Sequence, residues 1–316
     1  MPPTLSLRLE AALLEGGAAL EALTDAEPVD DRDALLAMLA IHDLHTAPIQ
    51  TLGEKVRWQH HPAVAALKCR LEERFVARLR AYDDAMGWDL PDDAVAAMRM
   101  IARRDLVPAI YEWVAAEADL GDLVDYLSLE GGPDGGFDDL VAACQIGLDG
   151  EPKLELARNY WDEMGNGTLA AVHTELHRDL ARALGLRDVP RTDLPTEALE
   201  RGALGSLLAT NRWFQPEMVG ALGLLELQAG PRCRKVVAAL ERVGAPQGAF
   251  PFYAEHAEVD PRHGKDWLDN AITHLAADPV WAEGIVRGAR WRSVTNARFF
   301  AAMADRFAAD RATAAA

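Results

Sequence analysis

Apolar positions recur at steps of three and four along most of this chain. Between Val64 and Tyr82 the residues Val64, Leu67, Leu71, Phe75, Val76 and Leu79 form one such stripe, the spacing of a helix that buries a single face. Periodic segments are separated at Glu27-Pro28, Ala47-Pro48, His61-Pro62, Gly87-Trp88-Asp89-Leu90-Pro91 and Gly131-Gly132-Pro133-Asp134-Gly135-Gly136. Further breaks are expected at Gly165-Asn166-Gly167, Val189-Pro190, Gln215-Pro216, Gly230-Pro231 and Gly244-Ala245-Pro246, because proline and glycine interrupt helical backbone. Asp92 and Asp93 suit the start of a helix, where acidic side chains meet its positive end. Other helices are expected over 137–148, from Glu151-Pro152 onward, and from about 279 to 307, with a frayed alanine-rich tail. Residues that favour strands are thin. The pattern predicts an all-α protein: one domain over 1–316, in which an N-terminal helical arm (1–90) is added to a core (91–312).

Composition narrows the function more than the fold. Fifty acidic against 32 basic residues give a net charge of −18, which argues against nucleic acid or an anionic membrane as partner. No apolar run approaches the ~18 residues of a membrane span, and the first ten residues lack the pattern of a signal peptide. Cys69, Cys144 and Cys233 are odd in number, dispersed and in no C-x-x-C arrangement. A disulfide framework is therefore not expected, and a reducing cytoplasm fits. Glycine-rich nucleotide loops and nucleophile elbows are absent from any strand–helix setting.

The chemistry concentrates in Phe252-Tyr253-Ala254-Glu255-His256-Ala257-Glu258-Val259-Asp260-Pro261-Arg262-His263, which holds two of the nine histidines. On a helix, His256, Asp260 and His263 point within about 60° of one another. Two imidazoles and a carboxylate on one face suit iron, manganese or zinc. Pro261 disfavours helix at Asp260, so irregular backbone, ordered by metal, is expected there. Glu163 and His173 offer a second donor pair. In a straight helix they would lie about 15 Å apart, but Gly165-Asn166-Gly167 can fold the chain back, with Thr168 capping the next segment. Glu226 is a charge inside the apolar run Gly220-Ala221-Leu222-Gly223-Leu224-Leu225-Glu226-Leu227 and needs a partner. Glu130 closes a helix before the glycine loop.

Each has a plainer reading. Glu163 can pair with Arg158, Glu226 with Arg232 or Arg234, and Glu130 can simply end its helix. His177 is read as a neighbour of the site rather than a ligand. His42, His45, His60 and His61 are read as helix-end residues, and Arg103-Arg104 as a solvated face. Trp161, Trp213, Trp267 and Trp281 are expected in the core, with Trp161 also helping to exclude water near Glu163.

Taken together, Asn159-Tyr160-Trp161-Asp162-Glu163-Met164-Gly165-Asn166-Gly167, then His173, then His256-x3-Asp260-x2-His263 resemble the heme-oxygenase-like diiron oxidases, or iron-containing redox enzymes, over roughly 90–310. The resemblance implies a heme-oxygenase-like helical bundle without heme, two Fe(II) ions, and O2 as co-substrate. The implied ligands are Glu130, Glu163, His173, Glu226, His256, Asp260 and His263, with Asp134 or Asp138 as substitutes for Glu130. The implied reactions are N-oxygenation, desaturation or oxidative C–C cleavage of a small molecule, an amino acid or amine in a natural-product pathway. The resemblance leaves room for an external electron donor, and implies arms that help form a homodimer. Three alternatives stand beside it. A ferritin-like diiron protein needs Glu-x-x-His steps, which this sequence lacks. A metal-free thiaminase-like or quinone-cofactor-synthase-like enzyme lacks the full ligand set. In a helical interaction protein these motifs would only pack.

Overall fold

The computed structural model describes residues 3–130 and 136–314, and among them every regular element is helical. α1 (Leu5–Glu15) and α2 (Gly17–Glu21) lead into α3 (Asp31–Thr46) and the single turn α4 (Ile49–Leu52). The buried Asp33 carboxylate ties them together: it accepts the backbone N–H groups of Leu5 at 2.9 Å, Ser6 at 2.8 Å and Val29 at 3.0 Å, donors that a helix start would otherwise leave unpaired. α5 (Pro62–Ala85) buries the stripe from Val64 to Leu79. Asp93 caps α6 (Ala94–Arg104), its carboxylate accepting the Ala96 N–H at 2.7 Å. α7 (Ala109–Ala116), α8 (Leu120–Glu130), α9 (Phe137–Cys144), α10 (Gly150–Glu163), α11 (His173–Leu184) and α12 (Thr196–Thr210) follow. The core is completed by α13 (Gln215–Val243), α14 (Pro251–Asp266), a π-helical stretch at Trp267–Ile272, α15 (Thr273–Leu275) and α16 (Pro279–Ala314).

α13 lies at the centre, with α14, α16 and α7 packed around it. Glycine sets the approach of its partners. A Cβ on Gly220 would sit 1.8 Å from the Ile285 carbonyl oxygen, and one on Gly288 would sit 1.9 Å from that of Glu217. α13 and α16 therefore meet backbone to backbone. α14 approaches similarly where Gly264 faces the Glu226 backbone, with the Glu226 carbonyl oxygen 3.0 Å from where a Cβ would lie. That contact brings Glu226 to the level of Asp260 and His263.

The N-terminal segment packs onto the core: α3 lies along α12, and α5 along both α3 and α16. One cluster of buried apolar side chains extends from Leu5 to Phe307. No helix among the described residues is long and apolar enough to cross a membrane.

Two expected breaks do not occur. α13 passes through Gly230-Pro231, and α14 remains helical through Pro261. The proline ring at 261 packs against Gly230, where a Cβ would lie 2.8 Å from it. The Ala257 carbonyl, which loses its helical donor to the proline, instead accepts Arg234 Nη1 at 3.0 Å. The irregular backbone lies beyond the ligand positions, at Trp267–Ile272. The helix expected over 137–148 stops at Cys144, and α16 extends past residue 307 to Ala314.

Candidate metal centre

Four helices, α10, α11, α13 and α14, bring candidate ligands together. On α10 the buried polar residues Glu155, Asn159 and Glu163 recur every fourth position and face inward. Glu163 ends the helix, and the chain then reverses through Gly165, Asn166 and Gly167, all with positive φ (58°, 51° and 82°). Gly165 is required there: a Cβ would lie 2.4 Å from the Ala171 carbonyl carbon and 2.6 Å from the Val172 nitrogen. The reversal makes His173 the first residue of α11 and carries its Nδ1 to 2.7 Å from Glu163 Oε2. Thr168 does not cap by its side chain, because a 3-10 turn at Leu169–Ala171 separates it from α11.

α14 brings His256 beside His173, with ring centroids 4.4 Å apart, and Phe252 flanks His256 at the same distance. His256 Nδ1 is 2.6 Å from the Phe252 carbonyl oxygen, so Nε2 is the nitrogen free to bind a metal. His263 is fixed from its outer side, with Nε2 2.9 Å from Asp162 Oδ2. Its inner Nδ1 lies 3.5 Å from Glu226 Oε2 and 3.9 Å from Asp260 Oδ1. Glu226 in turn accepts Asn159 Nδ2 at 2.7 Å. The potential ligand atoms of Glu163, His173 and His256 all lie within 4.8 Å of one another, and so do those of Glu163, Glu226 and His263. Glu163 belongs to both sets.

These donors fit divalent cations on evidence of their own. His173 Nδ1, His263 Nδ1 and Asp260 Oδ2 are buried without a hydrogen-bond partner. Glu163 and His173 are close but not aligned for a hydrogen bond with each other, as for two donors aimed at a common third atom. Buried polar groups are rarely left so. The electrostatics agree. Burial, and then the charges of Glu226 and Glu163, hold the Asp260 carboxyl far above its ordinary range. Burial and the neighbouring His173 push His256 down to about 4. Burial would lower His263 as well, but Glu226 and Asp162 outweigh it and raise it to about 9. His173 is raised in the same way, Glu163 overcoming burial.

Glu130 stands apart from both sets. Its carboxylate accepts from the hydroxyls of Tyr111 and, at 3.2 Å, Tyr126, and it lines the same cavity as the ligands. Asp138 also lines that cavity; Asp134 lies outside the described residues. The plainer partners are engaged elsewhere. Arg158 pairs with Glu155, Arg232 bonds to the Leu106 and Asp105 carbonyls, and Arg234 bonds to Ala257. His177 packs its ring on Phe252 at 5.1 Å and lines the cavity. Trp161 and Trp213 are exposed, not core, whereas Trp267 is fully buried. His42 is not at a helix end: it is fully buried within α3, between Glu72 at 2.7 Å and Ser206 at 2.8 Å.

Asp162 and Asn159 escape a reading that looks only for ligands. Both lie in the segment 159–167 and each bonds a candidate ligand, and their signal was their phase on α10. The cavity itself, about 480 Å³, runs from Glu163, Glu226 and His256 past Phe252, Tyr253 and Phe300. A second cavity of about 440 Å³ meets His173 from the other side, lined by Asp162, Glu255 and Arg262.

A family model described as iron-containing redox enzyme matches residues 125–295, a little over half of the chain and the part that carries the centre. No curated protein matches the chain closely.

Proposed function

The chain belongs to the iron-containing redox enzymes of heme-oxygenase-like fold, and from that premise we propose that it is a non-heme diiron oxidase that uses O2 to oxidise a small molecule held in the cavity. The oxidoreductase class follows from the family. Two irons, dioxygen and the substrate belong to the proposal. The observation that carries it is the pair of ligand sets sharing Glu163, because a carboxylate with two oxygens can serve two cations at once.

Charge supports two ions rather than one. Glu163, Glu226 and Asp260, with Glu130 in the same cavity, offer four negative charges beside three imidazoles that bind metal in their neutral form. A single ferrous ion neutralises two of those four charges. Iron bound here would supply the redox chemistry and activate oxygen. The chain's own residues do the rest. Asp162 and the Phe252 carbonyl fix which imidazole nitrogen faces inward, and Asn159 fixes Glu226. The apolar wall of Phe252, Leu225 and Phe300 keeps bulk water away and gives a substrate surface to bury. The reaction types in view are N-oxygenation, desaturation or oxidative C–C cleavage of an amino acid or amine, with an external electron donor where the stoichiometry requires one.

The test is anaerobic loading with ferrous iron, followed by mixing with oxygenated buffer and a panel of amino acids and amines. The expected result is oxygen uptake that is accelerated by particular compounds and accompanied by an oxidised product in the mass spectrum. Oxygen uptake no faster than that of free ferrous iron, with every compound recovered unchanged, would overturn the proposal.

A further inference from the structure

Arg232 lies on α13, six residues after Glu226 and about 9 Å further along the helix axis. The two side chains point about 120° apart around α13, yet both line the same cavity. Arg232 is 5 % exposed, and its guanidinium is held from three directions. Nε donates to the Leu106 carbonyl at 3.1 Å. Nη2 donates to the Asp105 carbonyl at 2.7 Å and to Gln228 Oε1 at 2.8 Å. The rings of Phe300 and Tyr111 lie 5.1 and 5.9 Å from its central carbon. All of these partners are neutral. Among the described residues no carboxylate oxygen lies within 4.0 Å of it, and none of its hydrogen bonds involves Nη1.

A buried cation with no carboxylate in direct contact is costly, and burial lowers the pKa of this guanidinium below its ordinary value although Tyr111 and the Asp105 carboxylate oppose the shift. The carbonyls and rings orient the fork but do not neutralise it. Such a preorganised fork, with donors left over and open to a cavity, recognises a planar anion. We propose that Arg232 is the specificity-determining anchor of the cavity, binding through Nη1 the carboxylate of a substrate whose other end reaches toward Glu226 and Glu163. The inference rests on reading this cavity as the substrate site. It adds that a neutral molecule of the same shape is rejected, and that the carboxylate lies at the end of the cavity away from the ligands.

The test compares hexanoate with the neutral 1-hexanol by equilibrium dialysis under argon, using iron-loaded wild type, R232Q and R232K, and wild type without iron. Wild type is expected to bind hexanoate at least tenfold tighter than hexanol. R232Q should lose at least tenfold in hexanoate affinity with its iron content unchanged, and R232K should retain part of the preference. Acid and alcohol binding within twofold of each other in wild type overturns the inference, and this comparison needs no variant to fold. So does R232Q binding hexanoate as wild type does, or hexanoate binding that requires iron but not Arg232, since the carboxylate would then sit on the metal. If the protein takes up no iron yet shows an acid preference that R232Q abolishes, the anchor stands and the diiron reading falls.

Discussion

Asp162 contributes to the centre without lying in either ligand set. Its Oδ2 holds His263 Nε2 at 2.9 Å, which leaves Nδ1 facing Glu226 and Asp260. It also meets Arg262 at 2.8 Å. Partners of this kind orient a metal-binding imidazole and raise its basicity. D162A should therefore weaken divalent-metal binding at the His263 side by about 10- to 100-fold. Titration with Mn(II) or Fe(II) measures this, and an affinity within twofold of wild type would contradict it. The same contact has a consequence for pH. With a folded pKa of about 9 against an ordinary value of 6.5, protonated His263 stabilises the metal-free fold. That contribution is full below about pH 6.5 and is lost as pH rises through about 9. A metal needs the neutral ring, so its affinity should climb with pH across this window by up to about tenfold per unit. His256, at about 4, is already neutral and releases nothing. Calorimetry at pH 7 in buffers of different ionisation enthalpy should record proton release on metal binding; none released would contradict the account. The candidate ligands were legible as residue types at helical spacing. Asp162 and Asn159 were not, because orienting a ligand leaves no mark in the sequence beyond a polar residue at an inward phase.

At the scale of elements, the turn after α10 decides whether Glu163 and His173 meet. G165A would place a methyl group 2.4 Å from the Ala171 backbone at a φ of 58°, a conformation that L side chains avoid. The variant should lose at least about 2 kcal/mol of stability and bind less metal at the His173 side. Thermal unfolding with and without metal checks both; an unchanged midpoint and unchanged metal binding would contradict the role given to this turn. The reversal could be read in the sequence because glycine on both sides of an asparagine is a local signal. The straight course of α14 could not. Pro261 removes one backbone donor, and the sequence rule expects a break. The carbonyl left behind is satisfied by Arg234 from a neighbouring helix, a tertiary contact that local propensity does not report. α13 also runs unbroken through Gly230-Pro231, where Gly230 gives the Pro261 ring its place. Thr168 missed its capping role for a local reason, the 3-10 turn that follows it.

Across the whole molecule, the all-helical class was readable from apolar periodicity alone. How the helices assemble depends on close approaches such as Gly220 to Ile285 and Gly288 to Glu217, and these need the fold to be seen. The N-terminal segment reads in sequence as an arm without motifs, yet its apolar faces join the same buried cluster as the core. That frame holds three buried carboxylates and three imidazoles from α10, α11, α13 and α14 around one space, an arrangement that divalent cations would relieve. The most direct test of the account is the iron bound per chain after anaerobic loading and removal of free metal, compared among wild type, H256A, H263A and E163A. The account predicts two irons in wild type, about one in each histidine variant, and fewer than one in E163A, because Glu163 serves both ligand sets. Wild type binding one iron or none, or E163A retaining two, would contradict it.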